Sequence, residues 1–208
     1  VATCVMPPLV AAQRPKISVV CGSVSDTRAR YGELRVITAV AAFMMIVGVP
    51  REIKVHEYRV GLTPSAVREY VSRGHKVIVQ TGAGDGILAT DAAYRAAGAS
   101  IAKTAEEIFK KAEMVVKVKE PQPVEWVQLR EGQLLFTYLH LAPDLQQTRD
   151  LIASRASCIA YETVTSPSGG LPLLAPMSQV AGRMSVQCGA HSLEKAQGGR
   201  GVLLGGVP

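Results

Sequence analysis

Three apolar runs in the middle of this chain each close on an ionisable side chain. "MVVKVK" ends on Lys119, "LLFTYL" runs into His140, and "CIAY" is followed by Glu162. A fourth group, Arg59 in "HEYRVGLTP", lies downstream of the apolar run "MIVGV". Cations, an imidazole and a carboxylate are groups that hold ionised ligands and move protons. Ligands of open α/β sheets bind outside the carboxyl ends of the strands. Each residue also has a purely structural alternative. Lys119 beside Glu120 and Pro121 could be a solvated lysine, His140 a satisfied half-buried histidine, Glu162 a cap on loop amides, and Arg59 a surface arginine. Their recurrence at successive strand ends favours a site.

The elements that would carry these groups are punctuated in the sequence. "MIVGV" predicts a buried strand. "TPSAVREYVSRG" predicts a helix, with Thr63 as cap, Pro64 in the first turn, Val67, Tyr70 and Val71 on one face, and Gly74 as the stop. "HKVIVQ" predicts a strand, and "TDAAYRAAGA" a short helix opened by Thr90. "TAEEIFKKA" carries a capping box from Thr104 to Glu107. "MVVKVKEP" and "QLLFTYLH" predict strands. "PDLQQTRDLIAS" predicts a helix with Leu145, Thr148, Leu151 and Ile152 inward, and "CIAYETV" a last strand. Apolar strands alternating with helices imply a Rossmann-like α/β fold, a parallel sheet covered by helices on both faces. After Pro176, "MSQVAGRMSVQCGAHSLEKAQ" predicts one long connecting helix rich in small residues.

Composition narrows the function classes. The net charge of +6 is not concentrated in one stretch and aromatic residues do not interleave with it, which leaves no nucleic-acid footprint. Cys4, Cys21, Cys158 and Cys188 are widely spaced without a CxxC, so no metal site is expected and the thiols suit a reducing, cytoplasmic compartment. The apolar run over 36–50 falls short of the roughly 18 residues that read as a spanning helix, which argues against a membrane partner. Residues 1–44 are expected to be a poorly packed extension, with the domain beginning near Met45. The substrate domain is then expected over 45–175, and a connecting helix and linker over 176–208.

Two glycine runs invite a nucleotide reading. In "VIVQTGAGDGI", Gly82, Gly84 and Gly86 give GxGxG rather than GxGxxG, and no helix with an apolar face follows at once. A surface turn is the expectation. "GGRGVLLGG" lacks the Lys-Ser/Thr of a P-loop and follows no strand.

Taken together, "GVPREIKVHEYRVGLTPSAVREYVSRGH", "VKVKEP", "LLFTYLHLA", "YETV", "LPLLAPMS" and "GGRGVLLGGVP" resemble the amino-terminal half of the alanine dehydrogenase family. The wider family also holds the alpha subunit of nicotinamide nucleotide transhydrogenase, and a relative of that subunit is an alternative. The resemblance runs from Met45 to Pro208. The family's usual Asn-Glu is His56-Glu57 here, its "RVA" is "RVG", and the glutamate after "APMS" is Gln179. The resemblance implies NAD-dependent, reversible oxidative deamination of L-alanine to pyruvate and ammonia. It also implies substrate binding by Arg59 and Lys119, proton transfer by His140, a cofactor contact at Ser178, and a homo-oligomer. In the family "GGRGVLLGGVP" precedes the NAD-binding domain and an acidic catalytic partner. The chain is therefore expected to be truncated before that domain, not to bind NAD, and to be inactive alone. The alternative from another class is a non-catalytic fragment that binds substrate weakly or pairs with intact subunits.

Overall fold

The structure, a computed structural model, describes residues 44–206. The expected extension over 1–44 lies outside the described residues, apart from an exposed Met44. Six strands form one sheet: β1 (Ile46–Val49), β2 (Lys76–Gln80), β3 (Ser100–Ala102), β4 (Met114–Val116), β5 (Leu134–Thr137) and β6 (Ser157–Ala160). The spatial order is β3-β2-β1-β4-β5-β6, and every pairing is parallel.

Helices connect the strands and pack on both faces. They are α1 (Pro64–Ser72), α2 (Asp91–Ala96), α3 (Ala105–Lys111), α4 (Pro123–Trp126) and α5 (Leu145–Ser154); a further helix, α6 (Ala175–Leu193), follows β6 and buries no residue. One core joins Val47, Val49, Val77, Val79 and Val116 of the sheet to Val67 of α1 and Tyr94 of α2. The other joins Val115 and Leu135 to Ile108 and Phe109 of α3 and Leu151 of α5. The alternation of Val115 and Val116 between the two cores is the period-2 geometry of a strand buried on both faces. Gly48 lets α3 approach the sheet, because a Cβ there would lie 2.5 Å from Ile108 and 2.6 Å from Ala112.

Helix starts follow the sequence cues. The hydroxyls of Thr63, Thr90 and Thr104 accept from the N–H groups of Ala66, Ala93 and Glu107. Four expectations need correction. On α5, Leu151 is buried and Thr148 half-buried, but Leu145 and Ile152 are exposed; the other inward residue is Gln147, whose amide donates to the Leu139 carbonyl at 2.6 Å. Strands β4, β5 and β6 stop earlier than their apolar runs, so Lys119, His140 and Glu162 lie two or three residues beyond them. The long helix ends at Leu193, and Lys195–Gln197 form a separate 3-10 turn. Strand β3 and helix α4 were not anticipated. Among the described residues no helix is long and apolar enough to cross a membrane, and no cluster of His, Cys, Asp or Glu could hold a metal ion.

Candidate functional site

The strand order reverses between β1 and β4. From β1 the chain winds through β2 to β3, and from β4 it winds the other way through β5 to β6. The loops leaving β1 and β4 therefore part, and a crevice opens at their carboxyl ends. The loop after β1 is long, running to Thr63, and carries Glu52, Glu57 and Arg59. It folds back over the end of β4. A Cβ at Gly61 would sit 2.4 Å from the Val116 carbonyl, so the RVG departure has a packing consequence here. The buried Tyr94 hydroxyl donates to the Leu62 carbonyl at 2.8 Å and fixes the far end of this loop.

Arg59 is held by its own loop. Its Nε donates to Glu57 Oε1 at 2.7 Å, its Nη2 to Oε2 at 2.5 Å, and its backbone N–H to Oε1 at 2.9 Å. The pair is bidentate, and Glu57 is almost covered while Arg59 remains 40% exposed. The hydrogen bonds from Arg59 hold the Glu57 carboxyl below its ordinary range; the Lys119 charge adds to this. The same pairing raises Arg59 further. Nη1 faces the Met177 sulfur at 3.0 Å, which brings the first turn of α6 to the mouth of the crevice. Ser178 is the next residue on that helix; it is exposed, and its hydroxyl leans on the Leu174 carbonyl at 3.5 Å.

Lys119 is half-buried, and its backbone carbonyl accepts from the Thr137 hydroxyl at 2.8 Å. His140 is exposed, with a positive φ of 48°. Such a backbone is uncommon for a residue with a side chain, and Glu162 supports it by accepting from the N–H groups of Leu139 (3.0 Å) and His140 (2.8 Å). Capping loop amides is thus what Glu162 does. Tyr138 stacks on the His140 ring with centroids 6.0 Å apart and 17° between planes, while its hydroxyl donates to the Leu173 carbonyl. Direct contacts join Arg59 to Glu57 and Tyr138 to His140; among the described residues no hydrogen bond or ion pair links the Lys119 side chain to either pair.

Sequence reasoning missed the groups beneath these residues. Lys117 is fully buried, with its ammonium 2.7 Å from Glu125 of α4 and 3.2 Å from Glu52. Burial pushes the Glu52 carboxyl above its ordinary range, and Lys117 opposes this. The available signal was a lysine inside the run "VVKVK", since a buried cation requires a paired carboxylate.

The glycine run after β2 does not form a dinucleotide cradle. Gly84 and Gly86 approach other backbone, and a Cβ would meet the Ala89 carbonyl at 2.4 Å and the Tyr58 carbonyl at 2.1 Å. The position an anion would take is filled internally. Asp91 accepts from the Gly82 N–H at 3.0 Å and from the Thr81 hydroxyl at 2.6 Å. These glycines instead seat the Arg59 loop, whose Tyr58 lies against them.

A doubly wound parallel sheet, with a carboxylate-paired arginine in the loop after β1 at its switch point, defines the domain as Rossmann-like α/β. Comparison with known proteins makes this specific. The family described as "Alanine dehydrogenase/PNT, N-terminal domain" matches residues 48–181, and the chain belongs to that family. It is similar to the alanine dehydrogenase of Halomonas elongata, 61% identical over 164 residues, which are 79% of this chain and 44% of that protein. The Mycolicibacterium smegmatis alanine dehydrogenase is 55% identical over the same shares. A solved L-alanine dehydrogenase superposes with a TM-score of 0.72 at 54% identity, over 79% of this chain and 45% of that one. A transhydrogenase from Sinorhizobium meliloti is more distant, with a TM-score of 0.54 and 27% identity over 56% of this chain and 35% of that one. The chain spans less than half the length of the curated relatives it matches.

Proposed function

We propose that the crevice binds pyruvate and L-alanine, as the substrate half of an NAD-dependent alanine dehydrogenase. The observation that carries this reading is the Arg59 fork. Glu57 occupies Nε and one side of Nη2, which leaves the Nη1/Nη2 edge to receive a ligand carboxylate in place of Met177. A planar guanidinium suits that second bidentate contact better than an ammonium would. Arg59, Lys119 and Glu57 together carry a single net positive charge, matched to one carboxylate rather than two. Lys119 polarises the carbonyl, or the imine formed from it. His140, held by Tyr138 and by the Glu162-supported bend, moves the proton during imine formation and hydrolysis.

The family's hydride acceptor is NAD. The described glycine run does not fit that cofactor, so its binding is not assigned to these residues. Ser178, the exposed residue after Met177 on α6, is the one assigned to a cofactor contact. By the same reading the domain forms part of a homo-oligomer. Unpaired Cys158 and Cys188 fit a cytoplasmic location.

Calorimetric titration with pyruvate and with acetone, which lacks the carboxylate, tests the reading. Pyruvate should bind saturably and acetone should not, and Arg59→Ala should abolish the pyruvate signal. Equal binding of pyruvate to the Arg59→Ala variant defeats the assignment.

A further inference from the structure

We propose that Glu52 is the positioning residue of this site, clamping the loop that carries Lys119 to the loop that carries Arg59 across the switch point. The two loops leave adjacent strands in opposite directions, so no connecting helix ties one to the other. A crevice that binds one small acid nevertheless needs its two cations at a fixed separation. Strand β1 stops at Val49 and β4 at Val116, and the chain bends at Val118 and Lys119. Where a neighbouring strand would have supplied acceptors, Glu52 supplies a carboxylate. Its Oε1 accepts from the Val118 N–H at 2.6 Å and from the Lys119 N–H at 3.4 Å. Its Oε2 faces the Lys117 ammonium at 3.2 Å.

Lys117 is anchored from the other side. Glu125 Oε1 takes its ammonium at 2.7 Å, and Glu125 Oε2 accepts from the Gln122 N–H at 2.7 Å, so α4 is locked into the same cluster. A second ion pair, Lys54 with Glu120, crosses between the same two loops. The Lys119 peptide is therefore held at its N–H by Glu52 and at its carbonyl by Thr137. The competing explanation is that Glu52 serves only as a counter-charge for Lys117. It differs in what it requires of the side chain, since a counter-charge needs charge whereas a clamp needs reach.

Two variants of the 208-residue chain separate these accounts. Glu52→Gln keeps the length and one oxygen for the amides, with its NH2 left facing the Lys117 ammonium, which Glu125 still holds. Glu52→Asp keeps the charge but is one methylene too short. Amide hydrogen exchange by NMR reads the clamp, and a pyruvate titration on the same samples reads its consequence. Glu52→Gln should hold exchange at Val118 and Lys119 within about threefold of wild type. Glu52→Asp should speed those two amides by about tenfold or more while Val79 and Leu135 stay unchanged. Pyruvate Kd should follow, rising about tenfold in Glu52→Asp alone. The proposal is overturned if Glu52→Asp matches wild type at the two amides, if all four amides accelerate together, or if Kd does not track their exchange. The inference rests on the pyruvate reading; if wild-type chain binds no pyruvate, that reading fails and the exchange rates alone decide the clamp.

Discussion

Replacing Lys117 by methionine removes the cation from a cluster in which Lys117, Glu52 and Glu125 are all buried. Methionine fills similar volume, so the main loss is electrostatic. Two carboxylates remain in the interior without their partner, and breaking a buried ion pair in this way costs about 3–5 kcal/mol. Against a typical domain stability of about 5–15 kcal/mol, the variant should be folded but marginal at pH 7. The sign of its pH dependence follows from Glu52. Burial already raises that carboxyl, and Lys117 is the main force opposing the rise. Without Lys117, the folded pKa of Glu52 moves further above its unfolded value. The folded variant then holds a proton that the unfolded chain releases, and its stability rises as pH falls from 7 toward 5, by up to about 1.4 kcal/mol per pH unit for each proton held. Below the unfolded carboxyl pKa the gain is complete. Trp126, the single tryptophan, sits next to Glu125 and reports urea unfolding at both pH values. A Lys117→Met midpoint equal to wild type at pH 7, or a deficit that widens at pH 5, would refute the reasoning.

Other outcomes follow from the same geometry. Arg59→Lys should weaken pyruvate binding about tenfold despite keeping the charge, because an ammonium cannot pair with Glu57 and a ligand carboxylate through parallel bonds; calorimetry checks it. His140→Ala should leave pyruvate affinity within about threefold, since its assigned task is proton transfer rather than binding. Gly86→Ala pushes a Cβ to 2.1 Å from the Tyr58 carbonyl. It should cost about 1–3 kcal/mol by overpacking, lowering Tm and loosening the Arg59 loop, with a matching loss of pyruvate affinity. Burial pushes the Cys158 thiol up to about 11, whereas Cys188 is exposed. Iodoacetamide at pH 8 should therefore alkylate Cys188 about tenfold faster than Cys158, and peptide mass spectrometry showing equal rates would contradict that.

The doubly wound class was legible because apolar runs and capping threonines mark most of the elements. Thr63, Thr90 and Thr104 each open the helix they announce. Strand β3 was not legible, because three residues are too few to show a period, and the same holds for the four residues of α4. The inward face of α5 was half legible. Its apolar spacing marked Leu145 and Ile152, yet a polar contact from Gln147 to the Leu139 carbonyl sets how the helix sits. For the site, Arg59, Lys119 and His140 could be singled out because chemistry-bearing groups stood out against apolar runs. The tie between Glu52 and the Val118 and Lys119 amides spans 66 and 67 positions. Nothing local in "PREIK" announces such a contact, since it arises only when the sheet places β1 beside β4.

The central claim is that a small 2-oxo acid binds at the switch point between Arg59, Lys119 and His140. The most direct measurement is a pyruvate titration of the isotope-labelled chain followed by amide chemical shifts. Saturable shifts should concentrate at Arg59, Lys119, Tyr138 and His140, with the first turn of α6 moving as Met177 leaves the guanidinium. It is contradicted by an absence of saturable shifts there, or by the largest shifts falling at the opposite end of the sheet, in the cleft lined by Met45, Glu113 and Gly132.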